Sequence, residues 1–548
     1  MNIYKMNISR VIVKGFFAFT MIIMMAITSC NDGFEELNVD PFNPTETSNQ
    51  FLFTGVLSQL QKPGNYNLYL ASERLYQWSQ LAASAGGGPA AGTDDPNTLN
   101  TLGVETLWFD FFNIARTYRA LERRLMEDFD PERQTNTLAV ANIVWAYYAL
   151  QITDLYGGMP FSEAGKGAVG IPRPAYDTQQ EVYTSCLTML KNAVDNIVVD
   201  YSGNTTAAGN PYVDYGSGDV IYGNDMDKWK RFANTIRLKH GLRVSNVDAS
   251  LGQTHVSEAL SGGVLEEDGF SFINSGSNWF GNQYYFGHRL GENAWKYMNA
   301  DDDPAVDGSD IIDPRVYIWY ETNEDGEWVA MPQDWSSDVR VAPSGSPYNS
   351  DRRNDNDDIG GQYKDQYSAF NWYMANTSDS ESIEHTFTFS EICFMKAEAI
   401  HKGWASGNAQ TEYELGIRTS IATWYAEGAL HNDWTAPAAP STAEVDVFIA
   451  NPRIAYAGNN ATGLQQIHTQ RWLDYYKRPE EAWHLVKRAA TIPLLQVRHR
   501  ITNEVLPLPR RLPYPIEELN QNGDNYSAYL QTIGGVDDIT VKNWWDVK

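Results

Sequence analysis

The chain has 548 residues, 43% of them hydrophobic, which is ample for a buried core. Its 69 Asp and Glu outnumber 41 Lys and Arg, giving a formal net charge of −28. That balance argues against nucleic acid as a partner, because displacing phosphate counterions needs a basic surface, and it disfavours anionic membrane surfaces for the same reason.

The first thirty residues read as a leader. Lys5, Arg10 and Lys14 precede the apolar run Gly15 to Ile27, which ends in Ile27-Thr28-Ser29-Cys30. A basic head, a short apolar segment and small residues before a cut form a secretory signal, and the ITSC box reads as a bacterial lipobox. The run is too short to span ~30 Å of hydrocarbon. Residues 1–29 are therefore expected to be removed and Cys30 to carry acyl chains, each buried CH₂ contributing ~0.8 kcal/mol to anchoring. Residues 30–50 are polar and acidic, with Pro41 and Pro44, and read as a flexible tether.

Helical periodicity dominates from about 50 to 262, with candidates at 50–61, 66–84, 105–127, 133–156, 177–199 and 226–247. Trp229, Phe232, Ala233 and Ile236 share one face at i, i+3, i+4, i+7 spacing, as do Ala141, Val144, Trp145, Tyr148 and Ile152. From 263 to 385 the period is lost among Gly, Asn, Asp, Ser and aromatics. This predicts an irregular lobe with short strands at Arg315 to Glu321 and Trp328 to Met331. Helices return at 390–402, 408–428, 461–476 and 479–488, the first opened by a capping box of Thr388 and Glu391. Pro515 reads as the first residue of a further helix. Cys186 and Cys393 sit in apolar helical segments and read as buried free thiols, although an exported protein could bridge them.

No catalytic or cofactor motif has its required setting. Gly165 to Gly170 formally match G-x-G-x-x-G, but the run follows a Pro-containing loop rather than a strand and precedes Pro172 and Pro174, so it reads as a loop. Nine His are scattered without metal-ligand spacing. Asp301, Asp303 and Asp307, with Asp310 and Asp313, could offer oxygens to Ca²⁺ but lack EF-hand spacing, and a solvated acidic loop is the plainer reading. The candidate ligand platforms are aromatic: Trp78, Trp279, Tyr284, Tyr285, Trp335, Tyr363, Tyr367 and Trp372. Asn282, Gln283, Arg289 and Gln362 stand nearby to fix hydroxyls. Flat rings stack on the apolar face of a pyranose while polar neighbours orient it. Each ring taken singly reads more simply as packing.

Several segments in order resemble the SusD/RagB family of nutrient-binding outer-membrane lipoproteins. They are the lipobox with its acidic tether, DLYGGMPFSEA at 154–164, WKRFANTIRLKHGLRVS at 229–245, DPRV at 313–316 and FSEICFMKAEAI at 389–400. RWLDYYKRPEEAWHLVKR at 471–488, LPYPIEELNQN at 512–522 and GGVDDITVKNWWD at 534–546 complete the series. The resemblance implies a mainly α fold: one domain over 51–548, with a tetratricopeptide-like helix-pair scaffold at 51–262 and 386–548 and a binding lobe at 263–385. No 34-residue repeat is visible in the sequence itself. It also implies a lipid-anchored protein on the outer face of the outer membrane that binds oligosaccharides without cofactor or catalysis. Such a protein acts as the lid of a TonB-dependent SusC-like transporter. A peptide-binding member of the family and a surface glycoside hydrolase are the alternatives. The anchor is directly testable: Cys30→Ser is expected to abolish incorporation of labelled palmitate and release the chain from membranes, and label retained by the variant would contradict it.

Overall fold

The structure, a computed structural model, describes residues 48–84, 97–127, 130–201, 203–273, 288–299, 311–323, 325–333, 367–375, 383–431, 434–499 and 502–548. Short polar side chains set most helix starts by accepting otherwise unpaired backbone N–H groups. Helix α1 (Asn49–Leu57) follows Ser48, and α2 (64–79) is π-helical over Asn67–Leu75. Between α3 (Thr101–Glu127) and α4 (Pro131–Tyr156), the Asp130 carboxylate accepts from the Glu132 N–H at 3.0 Å. Thr178 and Glu181 form a full capping box at the start of α5 (Gln179–Asn196). Asp225 and Asp248 cap α6 (Met226–Arg243) and α7 (Ala249–Gly262).

The chain then crosses a small antiparallel sheet of order β1-β3-β5-β4, formed by Ala82–Ser84, His288–Leu290, Ala369–Phe370 and Tyr320–Glu321. Two-stranded pairs join β2 (Ser271–Ile273) to β6 (Ile383–His385) and β7 (Val497–Arg498) to β8 (Val505–Leu506). Helices α8 (Glu292–Met298), α9 (Val316–Trp319) and α10 (Trp372–Ala375) decorate the sheet. Helices α11 (Phe389–His401), α12 (Ala409–Gly428), α13 (Thr442–Ala450), α14 (Ala461–Asp474) and α15 (Pro479–Ala489) follow, then α16 (Ile516–Gln521) and α17 (Gly523–Thr532).

Four hairpins of consecutive helices, α3/α4, α6/α7, α11/α12 and α14/α15, build the scaffold, with α5 packed between α4 and α6. The fold is thus mainly α with few short strands, as the sequence predicts. Two apolar cores result. One lies among α1 to α7, around Trp108, Trp145 and Trp229, with one face of α11, Trp483 of α15 and C-terminal residues such as Trp545; the other joins the sheet to α11–α15, around Trp319, Trp424 and Trp472. Helix α2 serves both, since Leu75 and Trp78 enter the first and Tyr76 the second.

A buried ionic network lies where α4, α6, α11, α14 and α15 meet. The Lys239 ammonium lies 2.5 Å from Glu481 and 3.3 Å from Glu391. Arg243 pairs with Glu481 and Asp154, and Arg478 donates to Glu391 at 2.6 Å. Arg488 grips Glu398 with two parallel bonds of 2.7 and 2.9 Å. Asp474 accepts from Thr388, Ser390 and Ser420. Each carboxylate is matched by a cation or by several hydroxyl donors, which makes burial of so much charge tolerable.

The network explains one departure from expectation. Thr388 caps α11 by accepting from the Glu391 N–H, but the Glu391 carboxylate does not return to the cap. It turns inward to Arg478 and the Tyr475 hydroxyl. Other departures are local. The segment expected as a strand from Arg315 to Glu321 is a single helical turn followed by two strand residues, because buried Asp313 accepts the Arg315 N–H and guanidinium and starts a turn. Of the expected strand Trp328 to Met331, only Met331 bridges, to Gly291. Pro515 caps α16 in an extended conformation instead of entering it. Helix α7, unforeseen in the sequence, is rich in Gly and Ser. It packs so closely on α6 that a Cβ on Gly252 would stand 2.6 Å from the Gly241 carbonyl oxygen.

Burial alone would raise the Glu391 carboxyl; Arg478, Lys239 and Arg471 overcome this and hold it near about 2. A folded-state value below the unfolded ~4.3 means that the stabilisation is present above that value and lost as pH falls toward about 2. Glu391→Gln is expected to destabilise by about 3 kcal/mol at pH 7. The gap from wild type should narrow between pH 5 and pH 3 in denaturant titrations. An equally stable variant, or a gap independent of pH, would contradict the account.

Candidate functional site

Segments far apart in sequence enclose a cavity of about 200 Å³. One wall is the end of α2 and the turn beyond it, with Gln77, Trp78 and Gln80. The opposite wall is residues 494–497 and 505–509, which carry the β7–β8 hairpin, and Asn97 and Gln333 complete the lining. Among the described residues, no ionisable side chain lines it, in a protein with 20% charged residues.

Gln80 holds the two walls together. Its side-chain amide donates to the Leu495 carbonyl at 2.8 Å and its carbonyl accepts from the Leu495 N–H at 2.9 Å, as in a strand pair. The same oxygen accepts from Asn293 at 2.9 Å. Gln80 adopts φ 58°, left-handed backbone that costs a non-glycine residue ~1 kcal/mol, so the amide bonds offset a local strain. Asn97 donates to the Pro507 carbonyl at 3.1 Å, and Gln333 donates to the Ala82 carbonyl at 3.2 Å. Trp78 is buried with its ring 5.3 Å from that of Trp483. Trp483 is fixed in turn by its N–H to the Pro509 carbonyl at 2.9 Å and by the Lys487 ammonium 3.3 Å from its ring centre.

Two of the lining residues stand at the ends of described stretches. Asn97 follows residues 85–96 and Gln333 precedes residues 334–366. Of the candidates drawn from the sequence, Trp78 lines the cavity. Arg289 lies on β3, 1% exposed, opposite Ala83 and Ala369, and donates to the His288 carbonyl. Trp372 is the first residue of α10, and Tyr367 packs on Ala83 and Met331. Trp279, Asn282, Gln283, Tyr284, Tyr285, Trp335, Gln362 and Tyr363 lie outside the described residues, as do Cys30, Asp301, Asp303 and Asp307. Asp313 is spent on Arg315. Among the described residues, no group of three or more His, Cys, Asp or Glu could hold a metal ion. Cys186 and Cys393 are buried and free, and burial, aided by Glu412, pushes the Cys393 thiol up to about 12.

The carboxamides and the 494–509 wall went unforeseen. Their only sequence signal was the presence of Asn97 and Gln333 beside irregular segments. The G-x-G-x-x-G run borders a different groove, of about 460 Å³, with Phe109, Arg116 and Glu517. Gly165 has φ +74° and a Cβ there would meet the Ala115 backbone at 2.6 Å, so its glycine serves a close approach to α3.

The family model described as SusD-like, "Starch-binding associating with outer membrane", matches residues 41–515. No curated protein sequence matches the chain significantly. Among solved structures, a chitin-binding protein superposes with TM-score 0.70 at 23% identity, covering 91% of this chain and 100% of its own. A SusD homologue from Parabacteroides distasonis gives TM-score 0.70 at 21% identity, with 91% and 98% coverage. A chitin-binding SusD homologue from Flavobacterium johnsoniae gives 0.66 at 21%, with the same coverages. At such identities the likeness establishes the fold.

Gln80→Ala removes three buried hydrogen bonds worth ~1 kcal/mol each and is expected to lower stability by about 2–3 kcal/mol. Gln80→Gly should recover roughly 1 kcal/mol of that through its tolerance of positive φ. Thermal unfolding in which Gly is no better than Ala, or in which Ala matches wild type, would overturn the clamp.

Proposed function

The chain belongs to the SusD-like family, and from that premise we propose that it is a surface-anchored binding protein for a neutral glycan, which it passes unaltered to a TonB-dependent SusC-like transporter that it covers as a lid. The observation that carries the reading is the cavity of carboxamides and Trp78, whose described lining is uncharged. Sugars present hydroxyls that satisfy carboxamides and apolar ring faces that satisfy indoles, and they bring no charge that must be desolvated. The two chitin-binding neighbours support a glycan as the ligand class. No described helix is long and apolar enough to cross a membrane, so the proposed tether is the lipid on Cys30.

Affinity should be modest, since a cavity of about 200 Å³ takes about one sugar unit and the rest of an oligosaccharide lies on open surface. Calorimetry of the purified chain against a panel of neutral oligosaccharides and peptides is expected to give glycan binding only. Mass spectrometry of the recovered ligand should show no cleavage, and an outer-membrane barrel should co-purify from the native host. Shortened glycans would make the protein an enzyme, and binding of peptides alone would replace the ligand class.

A further inference from the structure

The groove beside the Gly165 to Gly170 loop plays no part in the glycan reading, and its charge runs against that of the protein. Arg116, Arg119 and Arg123 line it from one face of α3, with Phe109, Phe112, Ile171 and Pro172 as its apolar part. Arg119 is spent: it donates to Glu122 at 2.8 Å and to the carbonyls of Phe161, Ser162 and Ala164. The other two are not. Arg116 is exposed, donates to the Asn113 side chain at 3.0 Å and pairs with no carboxylate among the described residues. Arg123 has a side chain 53% exposed, and Glu127 stands 3.9 Å from it. Glu517 and Glu518 lie toward the start of α3, where Glu518 accepts from Trp108 and Tyr176. In a chain of net charge −28, two unspent arginines beside an apolar floor fit an anionic occupant.

The chain itself supplies one. Residues 31–47, which precede the described fold, carry Asp32, Glu35, Glu36, Asp40 and Glu46 without a Lys, Arg or His, and they include Phe34 and Phe42. They enter the fold at Ser48, the cap of α1. A Cβ on Gly103 would meet Tyr69, and one on Gly55 would stand 3.6 Å from the Thr117 methyl, so the chain from α1 into α2 runs antiparallel to α3. Ser48 therefore stands toward the end of α3 that bears Arg123, away from Glu517. At about 3.3 Å per extended residue, residues 31–47 reach farther than the ~40 Å length of α3. Arg116 and Arg123 are two helical turns, about 10.5 Å, apart, which extended chain covers in about three to four residues, as from Glu36 to Asp40.

We propose that the acidic residues ahead of α1 fold back into this groove, with Glu35, Glu36 and Asp40 against Arg116 and Arg123 and the two phenylalanines on the apolar floor. The proposal is independent of what the Trp78 cavity binds. Exposed ion pairs are individually weak and screened by salt, but a covalently linked segment has an effective concentration of about millimolar and fills the groove without high affinity. Docking takes up chain that would otherwise separate the scaffold from the proposed anchor at Cys30.

The test is chymotrypsin cleavage after Phe42 in the mature chain carrying Cys30→Ser, followed by mass spectrometry at low salt. Arg116→Glu with Arg123→Glu is expected to speed this cut at least about fivefold, the factor that exposed ion pairs supply, and 0.5 M NaCl should do the same to the unreversed groove. Glu35→Lys with Glu36→Lys should speed it as well, without touching the folded part. Combining the two reversals should restore slow cutting. A rate indifferent to groove charge and to salt overturns the dock, and so does a combined reversal that cuts as fast as either reversal alone. Loss of a co-purifying outer-membrane barrel on groove reversal, with cleavage unchanged, assigns the groove to another protein and also overturns it.

Discussion

Pairing of buried charge is the constraint on which the rest of the molecule depends. Two apolar cores share helices α2, α11 and α15, and on α4, α6, α11 and α15 the buried Lys239, Arg243, Arg478 and Arg488 face Glu391, Glu398, Glu481 and Asp154. Such pairing is weak evidence for stability, because well-packed apolar residues could do as well energetically. Its effect is on register. A carboxylate gripped by Arg488 at both oxygens, or by Arg478 and Tyr475 together, fixes how α11 sits against α14 and α15. That register places Trp483, on α15, against Trp78, and so fixes one wall of the cavity.

One wall of the cavity is consequently fixed by the helical scaffold. Trp78 is backed by Trp483, which is held through Pro509 and Lys487. Gln80 ties the helix end to residue 495, more than four hundred positions later in the chain. Binding groups mounted on rigid elements lose little freedom when a ligand arrives, which favours affinity from a small contact area.

The scaffold was legible in the sequence because its long helices repeat their apolar residues at the helical period and begin at Thr, Asp or Asn caps. The lines for α3, α4, α6 and α11 needed only small adjustments at their ends. Helix α7 was not legible, since its glycines and serines carry little propensity and its stability comes from the close Gly241–Gly252 approach to α6. The turn at 316–319 was hidden for a related reason: apolar, aromatic residues read as a strand until the buried Asp313–Arg315 pair is known. Trp78 could be singled out as an aromatic beside a Gly-rich loop. Gln77, Gln80 and the 494–509 wall could not, because their juxtaposition is set entirely by tertiary packing. The resemblance to SusD-like proteins supplied the fold and ligand class that periodicity alone did not reach.

The most direct measurement is a crystal structure of the chain soaked with a saturating neutral oligosaccharide. Sugar density is expected between Trp78 and the β7–β8 hairpin. An ordered oligosaccharide seated elsewhere, with that cavity empty or filled by solvent, would contradict the assignment of the binding site.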